Sequence, residues 1–274
     1  MAVETEAWDM SNNENKIQFS PCKWQELHPY VEDYITSNKI TVDSFWEGNV
    51  IESNHYKMMV SDEIIGFFAI HENSTITLFN VFVPYANQAQ ELFARVKKYE
   101  SVTNAIVPTG DEFFISHCFD NFAKIEKQAY FATYTENGIP EERKKALNLR
   151  LADIEKDCET LRLSGDFLND QIKQLREGAD FLEVYIVEYC GNVVGFGVID
   201  YGRVLKNVSS TGMYVCEQYR QQGIAANILE HLKRICFEKG YKVLSGCWYY
   251  NHNSKKSMES AGAYAKTRLI RFYF

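Results

Sequence analysis

Apolar residues recur along this chain in two rhythms, one helical and one alternating, and the rhythms change places in nearly the same order twice. In the first half, Trp24, Leu27, Tyr30, Val31 and Tyr34 stand three and four apart, the spacing of one helix face, with His28 on the solvent side. Strand patterns follow over 55–60 and 64–70, turned by Ser61-Asp62-Glu63, and over 75–83, where Pro84 stops the run. Ala89, Leu92, Phe93 and Val96 restore the helical spacing before a strand over 102–107. A short strand is predicted to open at Lys16 to Phe19, and the polar, acidic residues 1–15 predict a frayed end.

In the second half, residues 146–151 alternate as a strand, and Cys158, Leu161, Phe167, Leu168, Ile172 and Leu175 read as one or two helices. Runs over 181–189 and 193–199 form a hairpin about Gly191-Asn192. Ile64-Ile65-Gly66-Phe67-Phe68-Ala69-Ile70 lines up with Val193-Val194-Gly195-Phe196-Gly197-Val198-Ile199, and Tyr130-Phe131 near the end of one half matches Phe272-Tyr273-Phe274 at the end of the other. The pattern therefore predicts an α/β protein of two tandem domains, 1–137 and 138–274, joined near the turn formers Thr135-Glu136-Asn137-Gly138-Ile139-Pro140.

One stretch carries chemistry. The strand-like run Ser209 to Val215 leads into Arg220-Gln221-Gln222-Gly223-Ile224-Ala225, and Ile224, Ile228, Leu229, Leu232, Ile235 and Cys236 then follow at helical spacing until Lys239-Gly240. A further strand covers 241–248. A loop that passes from strand to helix leaves backbone N–H groups free in one concavity, where the helix dipole adds positive charge, so phosphate is its natural occupant. Gly223 permits positive φ, and Ala225 keeps the approach free of bulk.

The string Val215-Cys216-Glu217-Gln218-Tyr219-Arg220-Gln221-Gln222-Gly223-Ile224-Ala225, with Asn251-x-x-Ser254 and Gly262 downstream, resembles the acyl-CoA pyrophosphate loop and its flanks in the GNAT superfamily of N-acyltransferases. The specific motif covers 213–262. The resemblance implies two GNAT-like domains, each a mixed, largely antiparallel sheet flanked by helices, with a central strand pair that splays apart. It implies that Met213, Tyr214, Val215, Arg220, Gln221, Gln222, Gly223, Ile224, Ala225, Ala226, Asn251 and Ser254 bind acetyl-CoA as co-substrate, and that an acetyl group passes to a primary amine of a small molecule or peptide by direct attack. The first half has Val83-Pro84-Tyr85-Ala86-Asn87-Gln88-Ala89 at the place of the loop, without glycine or a basic residue, and is expected to be a degenerate copy.

Many members of that superfamily move protons with a Glu on the fifth strand and a Tyr on the following helix. Those positions here hold Gly246 and Met258. Tyr250, His252 and Tyr214 are the candidate replacements; histidine is a residue type suited to act as a base, although a histidine in a turn is more often a bystander. Tyr249, Asp200 and Glu183 lie on neighbouring stretches. Cys247 is read as structural, since an apolar strand neighbourhood raises a thiol pKa. Ser254 is read as binding CoA or capping a helix over 255–260.

Composition narrows the partners. A net charge of −8 over 274 residues weighs against nucleic acid and against anionic membrane, which call for a basic surface. Seven scattered cysteines without C-x-x-C spacing fit reduced thiols in a cytoplasmic protein and neither a disulfide frame nor a metal site. The start lacks a signal-peptide core, and no run approaches the roughly 18 apolar residues of a membrane helix. These features leave room for a homodimer. Two rivals stand beside the transferase: a sensor that binds acyl-CoA without turnover, which the missing Glu and Tyr favour, and an aminoacyl transferase using transfer RNA, which the acidic charge disfavours.

Overall fold

The computed structural model describes residues 17–99 and 101–274; the frayed start expected over 1–15 lies outside them. The first half runs β1 (Gln18–Cys22), α1 (Trp24–Ser37), α2 (Ser44–Ile51), β2 (Asn54–Val60), β3 (Glu63–His71), β4 (Thr75–Val81), α3 (Ala89–Lys97), β5 (Asn104–Pro108), α4 (Glu112–Phe119) and β6 (Lys124–Tyr134). The second runs β7 (Asn148–Leu151), α5 (Cys158–Leu161), α6 (Asn169–Arg176), β8 (Leu182–Tyr189), β9 (Asn192–Tyr201), β10 (Val208–Val215), α7 (Ile224–Glu238), β11 (Lys242–Trp248), α8 (His252–Ser260) and β12 (Ala263–Tyr273). The α/β architecture and the repeated order of elements agree with the expectation from sequence.

The sheets of the two halves are one. The described strands form a continuous sheet in the order β1-β2-β3-β4-β5-β12-β6-β11-β10-β9-β8-β7. Only β4 with β5 and β10 with β11 run parallel. At the junction the halves trade their last strands: β12 pairs with β5 from Leu269–Pro108 to Tyr273–Asn104, and β6 pairs with β11 from Leu244–Thr133 to Trp248–Ala129. β6 and β12 also pair with each other along most of their length.

The apolar faces follow. Ile228, Leu229, Leu232 and Cys236 of α7 pack on Val194 and Ile199 of β9, Val243 of β11 and Ala132 of β6. In the first half, Phe79, Phe93 and Phe114 fill the space under α3 and α4, with Phe113 stacked on Phe79 at 5.9 Å. The segment expected to be a defective phosphate loop forms a 3-10 helix over Val83–Gln88 that runs straight into α3.

A third cluster joins the halves, because Leu27, Val31, Trp46 and Val50 of α1 and α2 share it with Val204 of the second half. His28, placed on the solvent side by periodicity, is instead half-buried, with Nε2 3.2 Å from the Val204 carbonyl. The reason is tertiary: the helix face that looks free in its own half meets the loop after β9. Glu47 fixes that loop. Its carboxylate is 3% exposed and accepts the N–H groups of Arg203 (2.8 Å), Val204 (3.2 Å) and Leu205 (3.0 Å). Glu47→Ala strands buried backbone donors, so it is expected to cost about 3 kcal/mol or more, read as a lower urea midpoint at unchanged slope; a midpoint equal to wild type contradicts this account of the junction.

Candidate functional site

β10 and β11 lie side by side but pair only through Val208 with Lys242, Ser209 with Val243 and Ser210 with Leu244. Hydroxyls close the apex: Ser245 Oγ donates to the Thr211 carbonyl at 2.7 Å, Thr211 Oγ1 donates to the Leu244 carbonyl at 3.2 Å, and the Tyr134 hydroxyl is 3.0 Å from Ser245 Oγ. Past the apex the strands part. β10 stays paired to β9 as far as Val215, and β11 to β6 as far as Trp248, so residues 212–215 and 246–248 face a gap with no ladder across it.

A cleft of about 690 Å³ lies at this opening. Met213, Tyr214 and Val215 form one wall, the turn through Arg220, Gln221, Gly223, Ile224, Ala225 and Ala226 forms the end, and Asn251 and Ser254 stand opposite. Gln221 and Gly223 both adopt left-handed backbone conformations, φ 61° and 75°, which swing the chain into the axis of α7. The first backbone bond closing α7 runs from Asn227 N to Gly223 O (3.3 Å), so the N–H groups of Ile224, Ala225 and Ala226 have no acceptor within the helix. A Cβ built on Gly223 meets no atom within 4 Å. Unspent donors, a dipole end and open space together fit a diphosphate.

Two predicted donors are engaged elsewhere. Arg220 Nε donates to the Val215 carbonyl at 3.2 Å, and its guanidinium lies 5.8 Å from the Tyr214 ring centre. Gln222, whose Nε2 donates to the Gln218 carbonyl (3.3 Å), does not line the cleft. Asn251 caps α8 by accepting the Ser254 N–H at 3.1 Å; the helix thus starts at His252, three residues before the expected position, and Asn251 is its cap in place of Ser254. Ile139, Arg143, Phe167, Asn253, Lys256 and Ser257 also line the cleft. None had a local signal. Arg143 sits in the linker, which Asn227 anchors by accepting the Lys145 N–H (2.8 Å) and donating to the Arg143 carbonyl (3.2 Å).

Of the candidate proton carriers, Tyr214 lines the cleft and stacks on Phe167 at 5.6 Å. Tyr250 and His252 do not line it; Tyr250 is half-exposed against Trp248 and Tyr249, each 5.1 Å away, and His252 is exposed at the first turn of α8. Burial pushes the Cys247 thiol up to about 11, which keeps it protonated and supports a packing role. Burial also drives the Glu183 carboxyl upward, but hydrogen bonds from Lys239, Tyr185 and Tyr201 outweigh it and hold the pKa below the ordinary value. Burial pushes the Asp200 carboxyl up to about 6, and its Oδ1 has no hydrogen-bond partner.

Residues 23–135 match a family described as Acetyltransferase (GNAT) domain, and residues 148–263 match the Acetyltransferase (GNAT) family. No curated protein matches the sequence. Among solved structures, a GNAT-family acetyltransferase from Colwellia psychrerythraea superposes with a TM-score of 0.82 at 17% identity, over 94% of this chain and 99% of the other. A GCN5-related N-acetyltransferase from Sphaerobacter thermophilus gives a TM-score of 0.59 at 11% identity, over 93% and 94% of the two chains. A tandem GNAT protein from the clavulanic acid biosynthesis pathway gives 0.56 at 10% identity, over 94% and 98%.

Proposed function

Because the chain belongs to the GNAT acetyltransferase superfamily, as a tandem pair of its domains, we propose that residues 138–274 carry acetyl-CoA in the cleft of β10 and α7 and pass its acetyl group to a primary amine, while residues 1–137 brace them. The observation that carries this reading is the parting of β10 from β11 at Ser210 and Leu244, opening onto the free N–H groups of α7. The turn at Gln221 to Ala226 holds the diphosphate, with Arg143 and Lys256 on the cleft wall as further cations. The unpaired edge of Met213 to Val215 aligns the pantetheine arm as an added strand, and Asn251 and Ser254 flank it. Acetyl-CoA supplies an activated thioester carbonyl. A backbone N–H of β10 stabilises the oxyanion at that carbonyl, and positioning accounts for most of the rate. Tyr214 is the cleft-lining phenol nearest the strand edge and serves as a proton donor there; Tyr250 and His252 remain outside the cleft wall.

The acceptor is a small-molecule or peptide amine. Among the described residues no helix is long and apolar enough to cross a membrane, and all seven cysteines are free, which supports a cytoplasmic, reducing setting. The test pairs two measurements on the full chain. Saturating CoA is expected to raise the melting temperature by several degrees, and acetyl-CoA with a panel of primary amines is expected to release free thiol. Stabilisation without thiol release favours a sensor, and absence of stabilisation removes the ligand assignment.

A further inference from the structure

Gly246 is the first β11 residue past the clasped apex that points away from α7, and it is solvent-exposed. It carries no side chain, yet its position is not vacant. The space a Cβ would take is held by Oδ2 of Asp43, a residue of the first half. Asp43 is the N-cap of α2, where Oδ1 accepts the Trp46 N–H at 3.0 Å. Three contacts lock this helix end against the second half: Ser44 N donates to Ser210 Oγ at 2.9 Å, the Ser44 side chain bonds Asp200, and Glu47 holds the loop after β9. A buried carboxylate from one half is thereby set beside the parted strand β11 of the other, on the sheet face opposite α7.

We propose that Asp43 is the catalytic base for the acceptor amine, and that the acceptor enters from the α2 side of the sheet as an ammonium ion. The inference rests on the transferase reading above. The ammonium gives one proton to Asp43. The neutral amine then attacks the thioester carbon, the C–N bond forms, and the C–S bond breaks. Tyr214 gives its proton to the departing thiolate and regains one from the second N–H, so CoA leaves as the thiol and Asp43 returns its proton to solvent. The surroundings suit this task. Burial, with Glu47 of α2 and Asp200 of β9 beside it, pushes the Asp43 carboxyl up to about 7. Cys247 of β11 is a neutral thiol on the α7 side of the sheet, and Arg203, in the loop after β9, faces Asp200. An arriving cation lowers that pKa and draws the carboxylate into its charged form.

Asp43→Asn tests this cleanly, because asparagine caps a helix as well as aspartate does. The expected result is a fall in kcat/KM of roughly 100-fold or more, loss of the limb that rises near neutral pH, and CoA affinity within about threefold of wild type. Gly246→Ala, which forces a methyl group into the carboxylate, is expected to lower the rate with CoA binding retained. A readout independent of turnover is the melting temperature against pH. A carboxyl whose folded pKa is raised stabilises the fold below its unfolded pKa, and that stability is lost as pH climbs through the folded value. The decline between about pH 4 and pH 7 should therefore be shallower in Asp43→Asn. An active wild type with an equally active Asp43→Asn and the same pH profile overturns this role alone. A wild type that binds CoA and acetylates none of an arylethylamine, a polyamine and a peptide amino terminus overturns the transfer reading together with it.

Discussion

Gly223→Glu should weaken acetyl-CoA binding by at least about 100-fold, roughly 2.7 kcal/mol. Gly223 is the N-cap of α7 at φ 75°, a region that L-residues with a Cβ enter at a cost of roughly 1–2 kcal/mol. That cost is modest for a chain of this size, so the fold should survive with a small loss of melting temperature. The ligand fares worse. The side chain would project into space that meets no protein atom within 4 Å, the volume assigned to the diphosphate, and would bring a negative charge to it. Isothermal titration with acetyl-CoA, alongside the apo melting temperature, separates the two effects. Affinity equal to wild type in a folded variant rejects the diphosphate site.

The second large effect concerns the junction. Residues 138–274 expressed alone should not give a folded, CoA-binding protein, even though they hold every side chain assigned to the diphosphate turn. Without β6, strand β11 loses its ladder from Leu244 to Trp248, and β12 loses its neighbours on both sides. Ala132 and Tyr134 leave the core under α7, and the Tyr134 hydroxyl leaves Ser245 at the apex of the strand gap. The expected outcome is an insoluble product or one without a cooperative thermal transition, whereas co-expression of 1–137 with 138–274 should restore both the transition and its response to CoA. A sharp, CoA-dependent transition in the isolated second half disproves the interdependence.

Much of this was legible in the sequence, and the failures have physical causes. The turn through Gly223 announces itself because strand, glycine, helical stripe and next strand are contiguous, so local rules suffice. Helix α2 gave no such signal: it has eight residues, Phe45 is exposed while Glu47 is buried, and the apolar face has no clean stripe. In α4, Phe113, Phe114, Ile115, Cys118 and Phe119 crowd several faces and hide the period in the same way. Asp43 precedes α2 and reads in isolation as a turn residue; only its contact with Gly246, some two hundred residues on, gives it meaning. The traded strands were illegible for a related reason. The tails that become β6 and β12 look alike in sequence but are not read as strands, and alternation says nothing about which partner a strand chooses.

Joining the halves has a further effect, on self-association. Two independent sheets would present four outer strands, each a row of free amides and carbonyls open to pairing with another molecule. In the merged sheet, among the described residues, only β1 and β7 remain at the rims. Both are short, and one carries Pro21 and the other Arg150, residues that discourage a visiting strand. The exchange at the centre thus also acts as a safeguard against aggregation.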